Sequence, residues 1–110
     1  MSSETSQQPT FQLFTSLRYD PLLLQSEQNS QPNLNFITPS PFYMLTYHRD
    51  RMLEAAQHFE FDKVAKKLED GPAVHELLLS KVKEWVGTNG KDQPLKVYTL
   101  MNSVLPQRYI

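Results

Sequence analysis

Residues 43–59 read YMLTYHRDRMLEAAQHF, and they decide the fold. Across 42–47, Phe42, Met44 and Thr46 alternate with Tyr43, Leu45 and Tyr47, the two-residue period of a short strand. From His48 onward the period changes. At about 100° per residue, Met52, Ala55, Ala56 and Phe59 gather on one arc, so a helix with a core-facing side is predicted over 48–59. His48 and Arg51 fall at the edge of that arc in the first turn, while Arg49, Asp50, Glu54 and Gln57 point away. A guanidinium beside helix-start amides, near the end of a strand, suits an anion such as a phosphate.

Working outward, FQLFTSLRY at 11–19 puts Phe11, Leu13, Thr15, Leu17 and Tyr19 on one face of a strand, and Gln12, Phe14, Ser16 and Arg18 on the other. This strand is expected to pair antiparallel with 42–47. The intervening 20–40, with Pro21, Pro32 and Pro39 among Gln, Asn and Ser, then forms a long insertion whose apolar part is Leu22, Leu23 and Leu24. FDKVAKKLED predicts a second helix over 62–69. Pro72 suits the first position of a third helix over 72–86, with Val74, Leu77, Leu78, Val82, Trp85 and Val86 as its apolar stripe and Gly87 as a left-handed stop. Pro94 introduces LKVYTLM, a strand over 95–101 with Leu95, Val97, Thr99 and Met101 on one face. The last residues, NSVLPQRYI, show no clear period, so 103–110 are expected to form a tail outside a domain of 11–102. Residues 1–10 are polar and too poor in apolar groups to offset the entropy of ordering. The predicted fold class is α+β: a small antiparallel sheet covered on one side by about three helices.

With 110 residues the chain is long enough for one domain and short for two. A net charge of −1 gives no electrostatic reason to expect nucleic acid or an anionic membrane as partner. There is no cysteine, which removes disulfides, thiolate metal sites and cysteine nucleophiles and makes the cytoplasm the expected compartment. The start, MSSETSQQPT, has neither a basic segment nor an apolar stretch, and no run approaches the roughly 20 apolar residues that cross a bilayer.

Glycines stand singly at 71, 87 and 90, so no phosphate-cradling loop or nucleophile elbow is present. His48, His58 and His75 lack the spacing of metal ligands with a third partner, and no metal is assigned. Pairing Ser16 or Ser80 with a histidine would give a nucleophile and base, yet nothing marks an orienting carboxylate or an oxyanion hole. Arg51 and Arg18 remain, the two arginines set within ordered elements, and guanidinium groups grip phosphate or carboxylate through paired hydrogen bonds. The competing reading has Arg51 pairing with Asp50 or Glu54 on the helix surface and Arg18 closing a sheet edge. Tyr19, Tyr43 and Tyr47 could add hydroxyls to a pocket, although strand tyrosines more often pack.

FTSLR at 14–18 followed by HRDRM at 48–52 resembles the first domain of the class IV aminotransferases, the fold-type IV pyridoxal phosphate enzymes, above all the fungal aminodeoxychorismate lyases. In that family a strand reading roughly F-E-T-L/I-R precedes a second strand and a helix opening H-x-x-R-L; Met52 replaces the usual leucine. The resemblance covers most of 11–101. It implies that Arg51 contacts the phosphate of pyridoxal phosphate and that Arg18 helps bind the carboxylates of a small-molecule amino substrate. It also implies a protein that converts 4-amino-4-deoxychorismate to 4-aminobenzoate and pyruvate, assembled as a homodimer. The family's Schiff-base lysine belongs to a second domain that this sequence does not contain. Lys63, Lys66, Lys67, Lys81, Lys83, Lys91 and Lys96 read as surface charges, so no catalytic residue is assigned and the chain alone is expected to be an inactive, truncated relative. The alternative is a non-catalytic module that docks on a full-length relative.

Overall fold

Leu17 and Tyr19 alternate with Ser16 and Arg18, and the alternation becomes the two faces of a strand, β1 (Thr15–Tyr19): the first pair is buried, the second exposed. The computed structural model describes residues 15–100 and 103–108. The expected tail 1–10, the strand start at 11–14 and Met101 lie outside them.

β1 pairs antiparallel with β2 (Leu95–Leu100), Leu17 opposite Val97 and Tyr19 opposite Leu95. β2 pairs antiparallel with β3 (Ser103–Arg108), giving the order β1-β2-β3. Leu95, Val97 and Thr99 are buried on the same face as Leu17 and Tyr19, as their spacing predicts. Against that face lie α1 (Leu45–His58) and α3 (Gly71–Asn89), with α2 (Asp62–Leu68) bridging them. The fold is therefore α+β. Leu17, Tyr19, Phe42, Leu45, Val74, Leu78, Val82, Leu95 and Val97 form one core, and each large apolar side chain in it contributes about 1.5–3 kcal/mol by leaving water. Ala56 and Ala65 form a second cluster, where small side chains let α1 and α2 approach closely.

Four expectations are corrected. Residues 42–47 form no strand: one bridge joins Tyr19 to Phe42, flanked by Asp20 N–H donating to Pro41 C=O (2.8 Å) and Tyr43 N–H donating to Arg18 C=O (3.1 Å). Met44 then turns left-handed at φ 56° and the helix begins at Leu45, three residues earlier than predicted. Leu45 shares its buried face with Met52 and Ala56, so a short apolar run satisfied both periods and the helix took it. Second, Phe59 is not on a core face but 47% exposed, because the helix has already ended at His58. Third, Gly87 lies within α3. The stop is Gly90, left-handed at φ 79° with its N–H on Val86 C=O at 2.6 Å, a conformation that costs glycine little. Fourth, 103–108 is a strand of the sheet, with Val104 packed against the core. Its period is hidden by Pro106, tolerable because β3 is the last strand in the described order.

The insertion is ordered. Asp20 starts one 3₁₀ turn (Pro21–Gln25) by accepting Leu22 N–H, and a second follows at Gln28–Ser30. Buried Asn29 donates to the carbonyls of Ser40 and Phe42, both at 2.9 Å. Phe36, at φ 68°, lays its ring against Gly71. Among the described residues, no helix is long and apolar enough to cross a membrane.

Candidate functional site

The start of α1 is where the sequence places an anion, and its first amides are already engaged. Leu45 N–H donates to Asn35 Oδ1 at 2.7 Å and Thr46 N–H to Leu34 C=O at 2.8 Å, so the insertion supplies the cap that the helix's own sequence lacks. Because the helix starts at Leu45, Arg51 belongs to the second turn. It is exposed, its guanidinium carbon 5.7 Å from the Tyr47 ring centroid, with a weak 3.4 Å contact from an Nη1 donor to the Tyr47 hydroxyl.

His48 ties this turn to the sheet. Its Nδ1 shares a 2.7 Å hydrogen bond with Thr15 Oγ1 at the start of β1, and its ring meets Tyr47 edge-on at 5.5 Å. Burial, and then the nearby Arg51 guanidinium, hold its imidazole below the ordinary pKa, so the ring is neutral at pH 7. What this part of α1 presents to solvent is one guanidinium and the Tyr47 ring beside a partly buried imidazole. Such a pair of guanidinium and imidazole can hold an oxyanion.

Arg18 projects from the opposite face of β1. Its guanidinium donates to Asp20 Oδ2 at 3.0 Å and lies 5.9 Å from the exposed Tyr43 ring. No hydrogen bond or ion pair joins Arg18 to Arg51 among the described residues; each is steadied by its own tyrosine. Tyr19 points inward and donates to Asp92 Oδ1 at 2.7 Å, burial and that bond pushing its hydroxyl well above the ordinary tyrosine pKa.

Two groups escaped the sequence reading. Arg49, expected to point away, is the half-buried arginine: its side chain is 16% exposed and covers the Phe36 ring at 4.8 Å. It donates to the Leu68 and Glu69 carbonyls at 2.9 and 3.2 Å and to Asp50 Oδ1 at 2.8 Å, closing the end of α2. The pairing that sequence offered to Arg51 thus belongs in part to Arg49. Likewise, the serine that meets a histidine is neither Ser16 nor Ser80 but Ser40, whose Oγ lies 2.8 Å from His75 Nε2. Both residues are buried, Phe42 N–H already donates to Ser40 Oγ at 3.1 Å, and His75 Nδ1 has no partner. With no carboxylate behind the ring and no access for a substrate, this pair fastens the insertion to α3. No local signal at positions 40 and 75 could have announced it.

Set against pyridoxal phosphate, Arg51 is an exposed guanidinium of the kind that can pair with a phosphate, and the chain offers no attachment point. No lysine is buried, and a Schiff-base lysine needs desolvation or another activating neighbour. No group of three or more His, Asp or Glu side chains that could hold a metal ion occurs among the described residues. No family model, no curated protein and no solved structure matches the chain.

Proposed function

We propose that this chain is the small, phosphate-contacting lobe of a pyridoxal phosphate protein of the fold-type IV kind, similar to the aminodeoxychorismate lyases, and that a second lobe supplies the Schiff-base lysine. One observation carries the reading: Arg51 is exposed on the turn of α1 that His48 fastens to β1, so a guanidinium stands at the sheet border ready for a phosphate. In this reading Arg18 meets substrate carboxylates, the cofactor supplies the electron sink, and the isolated chain is inactive. A cytoplasmic, dimeric protein acting on a small amino substrate, with neither nucleic acid nor membrane as partner, goes with it.

Calorimetric titration of the full chain with pyridoxal phosphate tests this. Arg51→Ala should weaken binding by about 1.5–3 kcal/mol, roughly ten- to a hundredfold, the worth of a hydrogen bond to a charged group. Equal affinity in both proteins removes Arg51 from the site.

A non-catalytic docking module is the second reading. It is favoured by Leu22, 71% exposed, and by Tyr43 and Arg18, residue types that anchor interfaces. Sedimentation velocity showing a stable dimer that Tyr43→Ala dissociates, together with no cofactor binding, would favour it over the first.

A further inference from the structure

Tyr47, His48 and Arg51 are neighbours on the turn of α1 that borders β1, at the spacings that bring helix side chains together. Thr15 Oγ1 holds His48 Nδ1 at 2.7 Å and so fixes the ring, while Nε2 has no partner among the described residues. Tyr47 steadies both neighbours, its ring 5.5 Å from that of His48 and 5.7 Å from the Arg51 guanidinium carbon. We propose that His48 and Arg51 together form a proton-coupled oxyanion site, which takes a phosphate-like dianion between the guanidinium and the imidazole Nε2–H. This deepens the reading of Arg51 above and rests on it.

The coupling follows from the charges. In the free protein a proton on His48 would place a second cation beside Arg51 on a partly desolvated ring, and the ring therefore stays neutral. Among the described residues, β1 presents to the ring the uncharged hydroxyl of Thr15 and α1 presents Tyr47 and Arg51, and Arg51 is the charge among them that acts on it. An arriving dianion offsets that repulsion and attracts the imidazolium. Protonated, the ring donates from both nitrogens, Nδ1–H to Thr15 Oγ1 and Nε2–H to the ligand. Ligand binding thus takes up a proton, and by linkage protonation tightens ligand binding by the same factor.

The test follows the His48 imidazole by NMR in the 110-residue chain, with sulfate as probe because it stays a dianion across the range. His48→Gln assigns the signal. Sulfate should raise the pKa of His48 by about one unit, so its binding should tighten as pH falls from 8 and approach about tenfold only once the pH is below the pKa of His48 in the free protein. His48→Gln should still bind sulfate with no such pH dependence, and Arg51→Gln should raise the pKa of His48 without any ligand. Sulfate binding that Arg51→Gln removes but that leaves the His48 titration unmoved overturns this inference and spares the Arg51 reading. No sulfate binding across this pH range overturns both. Pyridoxal phosphate binding more tightly than sulfate, with pyridoxal not binding, identifies a cofactor phosphate as the source, and equal binding of phosphate, sulfate and pyridoxal phosphate identifies a free oxyanion. Pyridoxal binding as well as its phosphate refutes the site.

Discussion

Replacing Gly71 by Ala adds one methyl group at the first turn of α3 and tests how the insertion is seated. A Cβ there would lie 2.5 Å from Phe36 Cε1 and 2.7 Å from Cγ, whereas ordinary contact begins at 3.4 Å. Moving from 2.5 to 3.4 Å requires the ring to retreat by about 1 Å. Retreat is obstructed because Phe36 is held at φ 68° and packs on the core, with Arg49 stacked over it at 4.8 Å and anchored on two α2 carbonyls. Overpacking costs about 1–3 kcal/mol and losing the cation–π contact about 0.5–1 more, against about 0.4–1 gained by stiffening the unfolded chain. The net expectation is a loss of about 1–3 kcal/mol. Urea unfolding followed by the fluorescence of Trp85 measures it in wild type, Gly71→Ala, Phe36→Ala and the double variant. Gly71 has no positive φ to forbid alanine, so once the ring is gone the same substitution should be neutral or slightly stabilising. The reasoning is refuted if Gly71→Ala stays within about 0.5 kcal/mol of wild type, or if it costs the same with and without the Phe36 ring.

Three further outcomes are expected. Asn35→Ala should destabilise by about 1–3 kcal/mol in the same assay, because it orphans the buried Leu45 N–H at the start of α1. Arg49→Ala should cost about 1.5–3 kcal/mol, since it bonds two carbonyls, whereas exposed Arg51→Ala should alter stability by less than about 0.5; thermal unfolding that ranks them the other way contradicts their assigned places. Burial holds His75 neutral below the ordinary imidazole value of 6.5, so the unfolded chain binds more protons as pH falls past 6.5; stability should then drop by up to about 1.4 kcal/mol per pH unit until the folded ring also titrates, and His75→Gln should flatten the profile. His48 acts in the same direction.

The elements most legible in the sequence are those whose period runs long. Val74, Leu78 and Val82 repeat over enough turns of α3 to name its buried face, although Leu77, counted in the stripe, is exposed. Thr15–Tyr19 and Leu95–Leu100 give their inward residues correctly because alternation leaves two choices and burial selects the apolar one. Short runs failed for the matching reason. Phe42 to Tyr47 fits strand and helix alike, and Asn35 and Leu34, ten or more residues upstream, resolve it by capping Leu45 and Thr46. Residue type and spacing put His48 and Arg51 close together, and they do stand one turn apart on α1, although the helix starts too early for Arg51 to be in its first turn. The roles of the arginines were not, because whether Arg49 or Arg51 turns inward depends on the distant carbonyls of Leu68 and Glu69 and the ring of Phe36.

The amino-acid order by itself determines the α+β class, the helix and strand faces with long periods, and the placing of two cation-capable side chains one turn apart, since all of these follow from local geometry. Tertiary structure alone decides which amides remain available to a ligand, which arginine becomes a structural tie, and that Ser40 meets His75. Those outcomes depend on groups far apart in the chain competing for the same few hydrogen-bond partners, and no local period records who wins.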